Sequence, residues 1–175
     1  MWKLTGVFLL LGGMAGILYS WTSQQKINQR RGECFLLFLQ KSIHMMQEEK
    51  IKVIDYFERY IEEAAESNER VLEQTLKEII HRLSSNTYPK GQTVWEDVIR
   101  EGNYYGFDQE VLQIIVQAGN GFFGRCRDEN IAFLQKSIRE LELQLVKMKE
   151  KSAQERKVWI PVGMLGSVML AILFI

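Results

Sequence analysis

Apolar residues recur at steps of three and four along the last third of the chain. These positions fall on one face of a helix: Ile131, Leu134, Ile138, Leu141, Leu145 and Met148. Charged residues fill the positions between them, which is the pattern of a coiled-coil heptad seam on an otherwise solvated helix. No Gly or Pro interrupts 131–158, so one helix could continue from the seam to the C-terminus. Such a helix over 128–175 would be about 70 Å long.

Both ends of the chain are apolar and uncharged. Residues 4–21 and 158–175 contain no Asp, Glu, Lys or Arg, and each is about as long as a helix that crosses a bilayer. Aromatic side chains at Trp2, Tyr19 and Trp21 would meet the headgroups. We therefore predict an N-terminal transmembrane anchor at 1–23 and a C-terminal transmembrane helix at 158–175, continuous with the last helix of the middle domain.

The apolar ends allow other interpretations. A cleaved signal peptide is the alternative for the first segment, although bulky Leu18 and Tyr19 stand where small residues should precede the cut. A helix lying on the membrane surface is weaker, because neither end has a charged face. Small residues could let a second membrane helix approach closely, or they could reflect only the frequency of such residues in membrane helices. They are Gly12, Gly16, Gly163, Ser167 and Ala171.

The middle of the chain, 24–157, has the 3.6-residue period of helices and no convincing alternating strand. Helices are predicted at 24–47 and 50–65, and a third begins after a cap at 67–68 and ends at 84–86. The fold class is therefore all-α: a cytoplasmic helical bundle of about six helices, flanked by an N-terminal and a C-terminal transmembrane helix.

Capping residues predict where the later helices begin. Thr93 and Glu96 form a Thr-x-x-Glu capping box that opens a short helix, which Gly102 ends. Asp108 and Asp128 are the predicted N-caps of the next two helices. Between those helices, three glycines are expected to crowd a turn: Gly119, Gly121 and Gly124. Their spacing matches a dinucleotide motif in letters only, because they follow a helix and not a strand. No cofactor is predicted.

Composition excludes several classes of function. The 22 Lys and Arg cancel the 22 Asp and Glu, so no global charge indicates nucleic acid. Cys34 and Cys126 are far apart and are expected to be reduced packing residues. His44 and His81 lack a second ligand at helical spacing, so no metal site is predicted. A membrane enzyme has the least support, because no catalytic set and no phosphate loop is present.

Two charge patterns bear on topology and binding. Lys and Arg flank both apolar ends on the side of the middle domain, at 26–31 and 147–157. The positive-inside rule then places the middle domain in the cytoplasm and both termini outside. Glu58, Glu62 and Glu66 share an acidic helix face that could dock a basic partner. Ordinary solvation of a surface helix explains the same residues.

The whole chain resembles the stage III sporulation protein AB family of endospore-forming bacteria. The opening matches at Lys3, Leu4 and Gly6, with Gly12 and Gly13 in the span. Trp95 lies in the short capped helix, and 112–119 resembles the family's helix end, although Ala118 stands where Phe is usual. The remaining matches are a charged cluster and a lysine-flanked final span: Arg127, Asp128, Glu129, Asn130, Ala153, Lys157, Val162, Gly163 and Gly166.

The resemblance implies a non-enzymatic platform or adaptor in the mother-cell membrane around the forespore. The family is similar to inner-membrane platform proteins of type II secretion and type IV pilus machines. The resemblance further implies three partners: a secretion-type ATPase, other membrane components of the complex, and the lipid bilayer. It implies no nucleic-acid partner. The alternative is a structural tether that homo-oligomerises through the heptad seam. We expect the seam to pack within one chain, since the apolar stripes at 35–46 and 71–83 need cover.

Overall fold

Helices account for all the regular structure in the described part of the chain. The computed structural model describes residues 2–48, 52–64, 70–85, 90–102 and 107–174. The helices are α1 (Trp2–Glu48), α2 (Val53–Ala64), α3 (Arg70–Ser84), α4 (Gly91–Glu101), α5 (Gln109–Phe123) and α6 (Arg127–Phe174). The prediction of an all-α chain is confirmed for these residues.

The chain divides into two compact units. The terminal unit consists of Met1–Gln29 and Val146–Ile175, and the bundle unit consists of Arg30–Leu145. Helices α1 and α6 therefore contribute to both units, whereas α2 to α5 belong to the bundle unit alone.

Aromatic side chains from four helices form the centre of the bundle unit. The Phe38 ring in α1 lies 4.9 Å from the Tyr60 ring in an edge-to-face arrangement and 5.5 Å from the Phe122 ring, measured between centroids. Such aromatic pairs contribute about 0.5–1.5 kcal/mol each beyond the burial of their surface. The buried members of the cluster are Phe35, Phe38, Tyr56, Phe57, Tyr60, Trp95 and Phe122.

Leucines of α6 and the stripe of α3 complete this core. Leu134 and Leu141 are fully buried. Leu145 lies against Gly32 of α1 so closely that a Cβ at Gly32 would be 2.5 Å from the leucine Cδ2. In α3, the predicted inward residues Leu72, Leu76 and Ile79 are buried. The remaining members of that stripe are half-buried, namely Val71, Ile80 and Leu83.

Two of the three glycines predicted to form a turn lie inside helix α5. A Cβ on Gly119 would be 2.5 Å from Cδ1 of Trp95, and a Cβ on Gly121 would be 2.5 Å from Cγ of Leu134. The turn prediction was therefore wrong for this pair. The missing side chains let neighbouring residues pack against the α5 backbone. Gly124 does end the helix, as its C-cap.

The predicted capping box at Thr93 was also wrong. Helix α4 begins at Gly91, with Lys90 as N-cap and no capping hydrogen bond from a side chain. The Thr93 amide donates to the Lys90 carbonyl oxygen at 3.1 Å, so Thr93 already belongs to the first turn. The predicted stop at Gly102 is confirmed, because its amide donates to the Val98 carbonyl oxygen at 2.8 Å.

The two predicted aspartate caps differ from each other. Asp108 is the N-cap of α5 in position, but its carboxylate makes no capping hydrogen bond. Helix α6 begins at Arg127, one residue before Asp128, so the prediction that Asp128 is the cap was wrong. Asp128 and Glu129 lie in the first turn instead, where negative charge favours the helix dipole.

Most side chains of the predicted membrane spans are outside the described part of the structure. Among the residues that are described, no helix is long and apolar enough to cross a membrane. The spans at 1–23 and 158–175 stay a prediction.

Hydrogen bonds connect the two helices of the terminal unit. The Gln25 side-chain amide donates to a Glu155 carboxylate oxygen at 2.8 Å, and the Ser152 hydroxyl donates to the Gln25 side-chain oxygen at 2.7 Å. Ser152 is buried. We refer to Gln25, Ser152 and Glu155 as the polar clasp.

Candidate partner-binding surface

Aromatic residues fix one face of α2 to the core. Tyr56, Phe57 and Tyr60 are buried, and the Tyr56 hydroxyl donates to the Phe38 carbonyl oxygen at 3.3 Å. The Ser42 hydroxyl lies 2.9 Å from the Tyr56 oxygen. Burial raises the pKa of the Tyr56 phenol well above its usual value, so the group stays protonated and can donate. Helix α2 is thereby held with its opposite face outward.

That outward face presents three carboxylates. Asp55, Glu58 and Glu62 are exposed and lie at positions i, i+3 and i+7, which share one side of a helix. None of the three makes an ion pair or side-chain hydrogen bond within the described part of the chain. We call Asp55, Glu58 and Glu62 the acidic stripe. Glu66, the third predicted docking residue, lies outside the described residues.

The neighbouring Glu63 is engaged within the fold. Its carboxylate contacts the Lys41 ammonium of α1 and lies 3.4 Å from Nε of Arg59. The hydrogen bond from Lys41 is the main reason that the pKa of Glu63 falls below its usual value. Lys41 also lies 5.6 Å from the Tyr60 ring centroid, a cation–π distance. Glu63 therefore connects α2 to α1, unlike the acidic stripe.

A shallow groove runs between α3 and α4. Its volume is about 240 Å³. Arg82 bridges Glu78 at 2.7 Å and Glu101 at 2.8 Å, and these hydrogen bonds raise the pKa of the Arg82 guanidinium. Val71, Thr75 and Val98 also line the groove. The Arg82 guanidinium offsets one of the two carboxylates, so this groove offers less net charge to a partner than the acidic stripe.

The heptad seam of α6 faces the inside of the same chain. Leu134, Leu141 and Leu145 are buried, and Ile131, Ile138 and Met148 are half-buried. By contrast, Leu143 on the other side of the helix is 57% exposed. A surface for a second copy would need these seam side chains to be accessible.

The residues predicted for membrane-helix packing are placed only in part. Gly16 is exposed, and a Cβ built on it meets no heavy atom within 4 Å. The surroundings of Gly12, Gly163, Ser167 and Ala171 lie outside the described residues. Their packing stays a prediction.

The described residues bring no metal-binding set together. Cys126 is exposed and Cys34 is half-buried, and the two are not joined in a disulfide. The expectation that Cys126 is a packing residue was therefore wrong. It lies one residue before α6, and the sequence around it carries no apolar period that would have indicated burial or exposure.

Charge is divided unequally between the two units. The bundle unit holds 15 Lys and Arg against 20 Asp and Glu, a formal charge of −5. The terminal unit holds seven Lys and Arg against two Glu, a formal charge of +5. The neutral chain is thus an acidic bundle joined to basic ends, and a bundle of this charge attracts a basic partner.

The family model of stage III sporulation protein AB matches residues 3–175, nearly the whole chain. No curated protein and no solved structure matches the chain.

Proposed function

This chain belongs to the stage III sporulation protein AB family, and on that premise we propose that it is a non-enzymatic membrane platform or adaptor. Membership gives it a role in stage III of sporulation. The proposed task is to couple a secretion-type ATPase to membrane channel components of the complex between the mother cell and the forespore.

The acidic stripe is the observation that carries this proposal. Asp55, Glu58 and Glu62 are exposed and unpaired among the described residues, on a helix that a buried aromatic face holds in place. A rigid row of unpaired carboxylates can bind a basic surface without first breaking internal ion pairs, and it also speeds encounter. The ATPase would then present Lys and Arg to α2.

Reversing charge on the stripe tests the ATPase contact. Glu58→Lys with Glu62→Lys should weaken binding of the purified ATPase at least about tenfold, because opposite charges become like charges. Asp97→Lys with Glu150→Lys changes the net charge equally at two carboxylates outside α2 that make no ion pair or hydrogen bond within the described part of the chain, and it is the matched control. Circular dichroism should be unchanged in both variants, since exposed substitutions alter stability by less than ~0.5 kcal/mol. Equal ATPase binding by both variants would exclude the stripe as the docking surface.

A tether that oligomerises through the heptad seam is less consistent with the burial of that seam. Leu134 and Leu141 have no exposed surface in the single chain. A dimer built on them would have to open the bundle and expose its aromatic core.

We propose that the protein lies in the mother-cell membrane around the forespore, with the bundle unit in the cytoplasm and both termini outside. The Lys and Arg flanks at 26–31 and 147–157 support this orientation. Cys126 is exposed, so an impermeant maleimide should label it only after the cells are opened. Cys126→Ser shows how much of the signal comes from Cys34. Labelling of Cys126 in intact cells would reverse the topology.

A further inference from the structure

The basic charge of the terminal unit is concentrated near the polar clasp. Lys26 follows Gln25, Lys151 precedes Ser152, and Arg156 and Lys157 follow Glu155. Because the clasp joins Gln25 to Ser152 and Glu155 at 2.7–2.8 Å, Lys26 lies near the level of these two residues. The three cations of α6 span about 9 Å along that helix. We call Lys26, Lys151, Arg156 and Lys157 the basic collar.

The cations of the collar are not neutralised by carboxylates among the described residues. Lys26, Lys151 and Lys157 are exposed, and no ion pair involves any collar residue within the described part of the chain. The nearby Glu155 carboxylate already accepts from Gln25. The collar therefore has positive charge available for an external anion.

Arg156 carries a more specific signal. Its Nε atom is buried and has no hydrogen-bond partner among the described residues. A buried donor without an acceptor is destabilising, and a phosphate oxygen is an acceptor that a guanidinium binds with good geometry. This donor distinguishes the collar from a set of merely solvated lysines.

We propose that the basic collar binds the headgroup phosphates of anionic phospholipids. The position of the collar in the chain favours a lipid over a soluble anion. Lys26 follows the uncharged segment 4–21, and Lys157 directly precedes the uncharged segment 158–175. A ligand with a phosphate joined to acyl chains matches basic residues next to apolar segments. The inference rests on the proposed membrane location and is independent of the ATPase contact.

Lipid retention by the full chain tests this inference. The chain is purified in a neutral detergent and titrated with phosphatidylglycerol or with phosphatidylcholine of the same acyl chains, and native mass spectrometry counts the bound lipids. Phosphatidylglycerol should be retained at least about tenfold better. Lys26→Gln with Lys157→Gln should remove most of that preference, because each cation near an anionic headgroup contributes roughly fivefold. Arg156→Lys keeps the charge but removes the Nε donor, and it should also lower the preference.

A matched control and a competition give the other outcomes. Lys52→Gln with Lys90→Gln removes two exposed cations from the bundle unit and should leave lipid preference unchanged. Equal retention of the two lipids, or an equal loss in this control, would overturn the proposal. Displacement of phosphatidylglycerol by equimolar glycerol phosphate would identify a site for soluble phosphate and would also overturn it. A failed lipid test with intact ATPase binding would leave the adaptor proposal standing.

Discussion

The bundle unit and the terminal unit use the same two long helices in different ways. In the bundle unit, α1 and α6 supply Phe35, Phe38, Leu134 and Leu141 to a closed apolar core. In the terminal unit, hydrogen bonds of the polar clasp connect α1 to α6. Their formal charges are −5 and +5.

This difference implies that folding stability and partner binding depend on different parts of the molecule. Burial of large aromatic and aliphatic side chains is the main source of folding free energy in a small domain. The buried side chains of this kind described above lie in the bundle unit. A net neutral hydrogen bond contributes only about 0.5–1.5 kcal/mol, so the clasp is a weaker connection. The bundle unit should therefore determine the folding stability, while the charged surfaces of the two units select different partners.

The largest expected effect is at Leu141. Leu141→Ala removes a fully buried side chain and should lower the free energy of unfolding by about 2–5 kcal/mol. Leu143 lies two residues away on the same helix and is 57% exposed, so Leu143→Ala should change stability by less than ~0.5 kcal/mol. Thermal melting of the purified chain in mild detergent compares the two variants.

The same melts separate an internal seam from a dimer seam. An internal seam gives a melting temperature that stays constant over a hundredfold range of protein concentration. If the melting temperature rises with concentration, the seam joins two chains, and the bundle core described above is wrong.

The next effect compares a glycine of each unit. Gly119→Ala would place a Cβ 2.5 Å from Trp95, whose indole N–H is fixed by a 3.0 Å hydrogen bond to the Ile115 carbonyl oxygen. Overpacking of this kind costs about 1–3 kcal/mol. Gly16→Ala meets nothing within 4 Å and should not destabilise the chain. Denaturant unfolding of both variants measures this. A clear loss at Gly16 would instead indicate a helix packed there, as the small-residue spacing predicts.

The smallest effect is at the ion pair that joins α1 and α2. Glu63 has a lowered pKa when folded, so its contribution is present above the usual Glu pKa and is lost as the pH falls through the folded pKa. Glu63→Gln should cost about 0.2–1 kcal/mol at pH 7 and nothing once both states are protonated. Urea unfolding at several pH values checks this, with the unpaired neighbour in Glu62→Gln as control. A cost that does not change with pH would assign Glu63 a role other than ion pairing.

The period of apolar residues was sufficient to predict the helices and much of the core. Three of the six residues predicted for the inward stripe of α3 are buried, namely Leu72, Leu76 and Ile79, and the other three are half-buried. Two residues of α2 were missed. Tyr56 was not predicted to be buried, because only the structure shows that the Phe38 carbonyl oxygen accepts a hydrogen bond from its hydroxyl. Asp55 was not predicted to belong to the acidic face, although it lies three residues before Glu58 and the spacing alone would have indicated this.

Contacts between distant residues could not be predicted from local patterns. The glycines at 119 and 121 look like turn residues, and only the positions of Trp95 and Leu134 explain why they lie in a helix. Glu62 and Glu63 are likewise adjacent and chemically identical in the sequence, but only Glu63 is paired, with Lys41 22 residues away. The set of exposed, unpaired carboxylates is therefore smaller than the set of acidic residues in the sequence, and ion pairs with distant residues decide which carboxylates belong to it.

Affinity purification from sporulating cells tests the adaptor function most directly. The tagged full chain is purified next to its Glu58→Lys, Glu62→Lys variant, and the bound proteins are quantified by mass spectrometry. The proposed function predicts that the wild-type chain recovers a secretion-type ATPase together with membrane components of the complex. The variant should recover the same membrane components with the ATPase strongly reduced. Recovery of no ATPase by the wild-type chain, or equal recovery by both chains, would contradict the adaptor role assigned to the acidic stripe.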